Sequence, residues 1–317
     1  VGIAVVDPAG TLAIEVGGTA NLETGEPATL DHWWDLASLT KVLVTLPEAL
    51  RLVDSGHVAL SDHLVDWWPA AAASPYAKAS IAQLLSYDAG APPTCTLYAR
   101  EPASRSELVQ VALHTPPQRP VGSGGLYSDV SMLLVGEAIT AAGEHRSLSV
   151  LAERRGWCLY GRPPGPAVAT EHCPWRRRLI VGEVHDENAA ALGGVAGHAG
   201  AFGRLDTVAK AARAWLSGDV ASPELTTDVS RCWTTGVTGE RYGLGFRLAG
   251  PSSLGGPLAG PNSYGMSGFV GNRLWVEPSR NYAVVILSNR IHPHRTPRES
   301  FDAWCDQVLA DLATARH

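Results

Sequence analysis

What most constrains this chain of 317 residues is that its strand-like segments lie at its two ends. "GIAVVD" and "TLAIEVGGTA", joined by the turn "DPAG", alternate and turn like a β-hairpin at the start. "YGLGFRLAG", "GFVGNRLWVEP" and "YAVVILSNR" read as successive strands near the finish, with "PSRN" as the turn between the last two. Between these ends lie short helical patterns and Pro/Gly turns, among them "SIAQLLSYDAG" and "SDVSMLLVGEAITAAG". An Ala-rich helix is expected from about Leu205 to Leu216, and "PRESFDAWCDQVLADLATA" closes the chain as another. The pattern predicts a mixed α/β fold: an antiparallel sheet assembled from both ends, helices on both faces, and an inserted helical region. On this reading residues 1–60 and 190–317 form the sheet domain, 61–189 are mainly helical, and an active site lies in the groove between.

Several function classes are disfavoured by composition. The net charge is −6, and Arg176-Arg177-Arg178 is the one dense basic run, so a nucleic-acid partner is not expected. Five cysteines without a C-x-x-C pair argue against a disulfide framework and a structural zinc site. No apolar run reaches the length of a membrane span, so no membrane partner is expected. The first residues read as strand and turn, not as a leader, and a cytoplasmic protein is expected.

"DLASLTKVLVTLPEALRLVDSG" places Lys41, one of three lysines in the chain, three positions after Ser38. Leu39, Val42, Leu43, Leu46, Leu50 and Val53 recur at helical spacing, with Gly56 as a stop and Pro47 expected to kink or split the helix. Positions i and i+3 share a helix face, so Ser38 and Lys41 should meet. A serine hydroxyl needs a neighbouring base to become a nucleophile, and an amine against an apolar wall can supply one. The rival reading makes Ser38 an N-cap and lets Lys41 reach to water.

Further motifs favour the catalytic reading. "GGLYSDVSMLL" puts Tyr127 and Asp129 on a turn feeding a helix, and "YGMSGFVGN" puts Ser267 and Gly268 at a strand-to-hairpin junction. In this order, Ser38-Leu39-Thr40-Lys41, Tyr127-Ser128-Asp129 and Met266-Ser267-Gly268 resemble the three motifs of the serine β-lactamase and penicillin-binding protein superfamily. The branch resembled is that of class C β-lactamases, D,D-peptidases and related esterases, and the likeness runs from about residue 1 to 310.

The resemblance implies a β-lactamase/transpeptidase-like fold and a Ser38 acyl-enzyme. It implies that Lys41 and Tyr127 share the proton traffic, and that the backbone amides of Ser38 and Phe269 form the oxyanion hole. Asp129, Met266, Ser267, Gly268 and His198 are expected around the substrate pocket. Two residues depart from the family pattern. Asp129 replaces Asn; a carboxylate there should raise the pKa of Lys41 and pass the base role to Tyr127, unless Asp129 merely caps the helix. Met266 replaces a Lys or His that binds substrate carboxylates, so an ester or amide without that carboxylate is expected.

The cluster His185, Asp186, Glu187 and His198 fits no familiar metal-ligand spacing and is read as holding the glycine-dense loop "LGGVAGHAGAFG" beside the pocket. Trp33-Trp34 and Trp67-Trp68 are candidates for lining a cleft, although most tryptophans are packing residues. The expected function is acyl transfer from a small ester or amide, to an amine in a natural-product pathway or to water. An apolar cleft lined by Trp and Met would favour the amine. No cofactor and no metal are expected, and the partners are a small acyl donor and an amine acceptor. A β-lactamase or D-alanyl-D-alanine carboxypeptidase, and a non-catalytic ligand-binding protein, are the alternatives.

Overall fold

The computed structural model describes residues 1–100, 103–143, 146–250, 254–256 and 259–315. Its main sheet has eight strands, labelled here in chain order: β1 (Gly2–Asp7), β2 (Gly10–Val16), β3 (Thr234–Thr235), β4 (Arg241–Tyr242), β5 (Arg247–Leu248), β6 (Tyr264–Gly268), β7 (Asn272–Glu277) and β8 (Tyr282–Leu287). They lie in the order β3-β4-β5-β6-β7-β8-β1-β2, every pair antiparallel. As the sequence predicts, the two ends of the chain build one sheet: Ile3 of β1 pairs with Ile286 of β8.

Alternation along the strands gives the sheet two apolar faces. Ala4, Val6, Leu274, Val276, Val285 and Leu287 join the main core, where the helix Leu205–Ser217 covers them. Trp275, Val284 and Ile286 point the other way, onto Cys305 and Leu309 of the helix Glu299–Ala315. Each such aliphatic side chain contributes about 1.5–3 kcal/mol through burial.

Two segments differ from expectation. "YGLGFRLAG" is not one strand but a tight hairpin, in which Tyr242 of β4 pairs with Arg247 of β5. Gly245 makes the turn possible: its φ of +71° suits glycine, its amide donates to Leu85 O, and its carbonyl accepts from the Tyr87 phenol. The nucleophile segment is also split. Ala37–Leu39 is a 3-10 turn, Lys41–Thr45 is a π-helical turn, and the α-helix proper runs Leu46–Asp54. Pro47 thus sits in the first turn of that α-helix, directly after the π-helical turn, where its missing amide interrupts the helical run.

The tryptophan pairs belong to packing. Trp34 and Trp67 are buried in the main core, and Trp33 and Trp68 pack against it. No described helix is long and apolar enough to cross a membrane.

Candidate active site

Ser38 is half-buried in its 3-10 turn, and Lys41 follows one turn later with no exposed surface. Lys41 Nζ donates to Ser38 Oγ at 2.8 Å and to the carbonyl of His198 at 2.8 Å, and lies 2.7 Å from Asp129 Oδ1. Two hydrogen bonds and an ion pair thus converge on the Lys41 nitrogen. Electrostatics agree with the hydrogen bonding. Burial disfavours the charged form, but the Asp129 carboxylate and then Tyr127 outweigh it and hold the Lys41 pKa above the ordinary lysine value. Lys41 is therefore a buried cation and does not reach to water.

Asp129 is not the helix cap. Ser128 caps the helix Asp129–Ala142: its Oγ accepts from the Ser131 amide and donates to Pro92 O. That leaves the Asp129 carboxylate, on the first residue of the helix, free to turn onto Lys41. Tyr127, just before the cap, lies beneath two cations, with Lys41 Nζ 5.1 Å and the Arg247 guanidinium 5.3 Å from its ring centroid. Tyr87 packs on it at 5.0 Å between ring centroids, itself in the left-handed region at φ +62°.

The turn bearing Ser38 is held from three sides. Ala37, at φ +46°, is strained for a residue with a side chain, and its amide donates to Asp35 Oδ1 at 2.7 Å. The other Asp35 oxygen accepts from the His185 amide, and the Asp35 carbonyl accepts from Asn272 Nδ2 on β7. Gly268 lies against the same turn: a Cβ there would come within 2.9 Å of Leu36 O and 3.3 Å of Ala37 Cβ. From below, Thr45 Oγ1 donates to Gly197 O and Lys41 to His198 O, tying the glycine loop to the nucleophile helix. Gly197 must be glycine, because a Cβ would lie 2.2 Å from Met132 O.

Above Ser38 opens a cleft of about 410 Å3 lined by Tyr127, Asp129, Ser267 and Phe269, and also by Asp186, Glu187, Arg247, Arg295 and Arg298. The structure thus brings Ser38, Lys41, Asp129 and Tyr127 together, with Ser267 and Phe269 facing the same space. Three expected pocket residues do not line it. Met266 points off the other face of β6 into the main core, Gly268 packs under the Ser38 turn, and His198 is buried with Nε2 3.1 Å from Asp186 Oδ1. The expected Trp- and Met-lined wall is absent, and charged groups stand in its place.

Sequence reasoning passed over Asp35 and Arg247. Asp35 had a local signal, three residues before Ser38 in "DLAS"; Arg247 had none. On the far wall His185 Nε2 meets Glu171 at 2.8 Å, and Arg295 binds Glu171 and Glu187 together.

Comparison with known proteins gives the family and the fold of the chain. Residues 1–306 match the beta-lactamase family profile. A putative D-alanyl-D-alanine carboxypeptidase of Escherichia coli is 28% identical over 320 residues, covering 87% of this chain and 73% of that protein. The penicillin binding protein of Bacillus halodurans superposes with a TM-score of 0.76 at 16% identity, covering 97% of this chain and 96% of that one. EstCE1, a hydrolase with promiscuous acyltransferase activity, gives 0.77 at 15% identity, with 97% and 92% covered. At such identities the two structures share the fold.

Proposed function

The chain belongs to the beta-lactamase family, a family of serine hydrolases, and on that premise we propose that it cleaves a small ester or amide through a Ser38 acyl-enzyme. The observation that carries this reading is the 2.8 Å contact between Ser38 Oγ and a lysine held charged and fully buried by Asp129. A buried cation is costly unless it is paired, as Asp129 pairs this one, and its contact with Ser38 Oγ also orients the hydroxyl.

In the proposed reaction Ser38 Oγ attacks the substrate carbonyl carbon. Tyr127 takes the proton and returns it to the departing alcohol or amine as that bond breaks. Lys41 and Arg247 lie against its ring, so positive charge flanks the phenol during the transfer. The amides of Ser38 and Phe269 hold the oxyanion. Water then attacks the acyl carbon along the same proton path and frees Ser38. Discharge to water is favoured over discharge to an amine, because charged side chains share the cleft with its apolar ones and give water polar partners there.

Intact-mass spectrometry with a panel of activated esters, with and without added amines, tests this. A transient acyl adduct on Ser38 that water discharges is the expected result. An unmodified serine during turnover, or undiminished turnover by Ser38→Ala, would end the proposal.

A further inference from the structure

Phe269, the second oxyanion donor of the proposed reaction, sits in the turn that joins β6 to β7, across which Gly271 N donates to Gly268 O at 3.1 Å. The Gly268 carbonyl and the Phe269 N–H share one trans peptide plane and point opposite ways, so a carbonyl drawn into the turn sends the N–H out of it. That bond leaves the next plane loose. It is the middle peptide of the turn, between Phe269 and Val270, whose tilt separates one turn type from another.

Arg290 closes on that plane. It is half-buried just after β8; its Nη2 donates to Phe269 O at 2.9 Å and its Nη1 to Thr296 O at 2.6 Å. The same stretch supports the rest of the turn. Ser288 Oγ donates to Gly271 O at 2.7 Å, and a Cβ on Gly271, at φ +112°, would lie 2.1 Å from Ser288 Oγ and 2.7 Å from Arg290 Cβ. Val270 packs with Ile291 and with Ala37, the residue before Ser38. Residues 288–291 therefore back the nucleophile turn and the oxyanion turn together. Arg290 does not line the cleft, and its charge, opposed by Arg298, is answered by Asp302 and Glu299 of the closing helix.

Resting on the acyl-enzyme reading above, we propose that Arg290 is a positioning residue: without touching the substrate, it holds the Phe269 carbonyl and so keeps the Phe269 amide aimed at the oxyanion. Val270 limits what its loss can do. A full flip of the middle peptide would need a positive φ at Val270, which is β-branched and does not occupy that region. Without Arg290 the turn should tilt, not invert, and the amide should be weakened as a donor, not lost. Loss of a whole oxyanion donor costs about 10²–10³ in kcat, so the tilt should cost about ten- to thirtyfold. The Phe269 ring keeps its separate support, stacked on His185 at 5.5 Å between centroids, which confines the effect to the backbone.

The test uses phenyl acetate as substrate and phenylboronic acid as probe, on the wild type, Arg290→Gln and Arg290→Lys. In the probe complex Ser38 Oγ bonds to boron, its proton passes to solvent, and one boron hydroxyl takes the place of the oxyanion. Acylation and deacylation both pass through an oxyanion, so in Arg290→Gln kcat should fall about ten- to thirtyfold with KM little changed. The boronate Ki should rise in parallel, and both should partly recover in Arg290→Lys. A merely structural role would lower kcat by loss of active protein and leave Ki where it was, because Ki does not depend on the active fraction. If Arg290→Gln fails to fold, the same two readouts on Arg290→Lys decide, with a smaller parallel loss expected. An unchanged Ki, or a loss confined to KM, with turnover still dependent on Ser38, overturns the role of Arg290 alone. Turnover that survives Ser38→Ala, or a wild type indifferent to the boronate, overturns the parent reading and this one with it.

Discussion

Replacing Asp129 by Asn removes a charge from beside Lys41 while keeping a side chain of nearly the same shape. At the observed 2.7 Å and an effective dielectric near 20, the lost attraction is roughly 6 kcal/mol. Asp129 keeps about a quarter of its side chain in water and gains from rehydration when the pair is absent, so the net destabilisation should be about 2–4 kcal/mol. The dependence on pH carries the sharper signature. In the wild type the folded-state pKa of Lys41 is above 10.5, so the stability it contributes is fully present below that pH and is lost as pH rises through the raised value. In Asp129→Asn burial, already the largest single influence, is no longer outweighed and should push the pKa below 10.5, reversing the sign: stability would then rise with pH up to that point. Urea unfolding followed by the fluorescence of the ten tryptophans, at neutral pH and between pH 9 and 11, measures both effects. A variant as stable as the wild type to within 0.5 kcal/mol, with superimposable pH profiles, would refute the claim that Asp129 keeps Lys41 charged.

Two further outcomes follow from the supports of the cleft. Gly268→Ala forces a methyl to within 2.9 Å of Leu36 O, so it should cost about 1–3 kcal/mol and lower acylation more than it lowers thermal stability; unchanged single-turnover rates would count against the packing described. Glu171 is held down to about 2: burial raises it, but the hydrogen bonds from His185 and Arg295 outweigh burial. Its contribution is therefore present above the ordinary glutamate value and lost as pH falls toward 2, and Glu171→Gln should be roughly 2–3 kcal/mol less stable at neutral pH yet converge with the wild type near pH 2. Parallel stability curves for the two proteins would contradict this.

Much of the site was legible because it depends on spacing within one element. Ser38 and Lys41 meet since three residues make about one turn, and the expected effect of Asp129 on Lys41 needed only that a carboxylate be near a buried amine. The failures concern which face an element turns to which neighbour. Met266 was expected at the pocket, but strand alternation that sends Ser267 to the cleft sends Met266 into the core. Asp129 was allowed as a cap because sequence cannot tell which of two adjacent polar residues turns back on the helix; Ser128 does. Arg247 lies on a two-residue strand, too short for any periodic signal, and reaches the cleft only because the Gly245 turn folds β5 back on β4. The tryptophan pairs followed the commoner rule that large aromatics fill cores.

The pairing of β1 with β8 joins residues from almost opposite ends of the chain. During synthesis the strand carrying Ser267 and the loop carrying Phe269 emerge long after Ser38, and the sheet beneath them closes only when the last strand is available. A ribosome-bound precursor would carry the serine but not the wall that steers it, so the reactive hydroxyl is completed only after the last strand of the sheet has emerged.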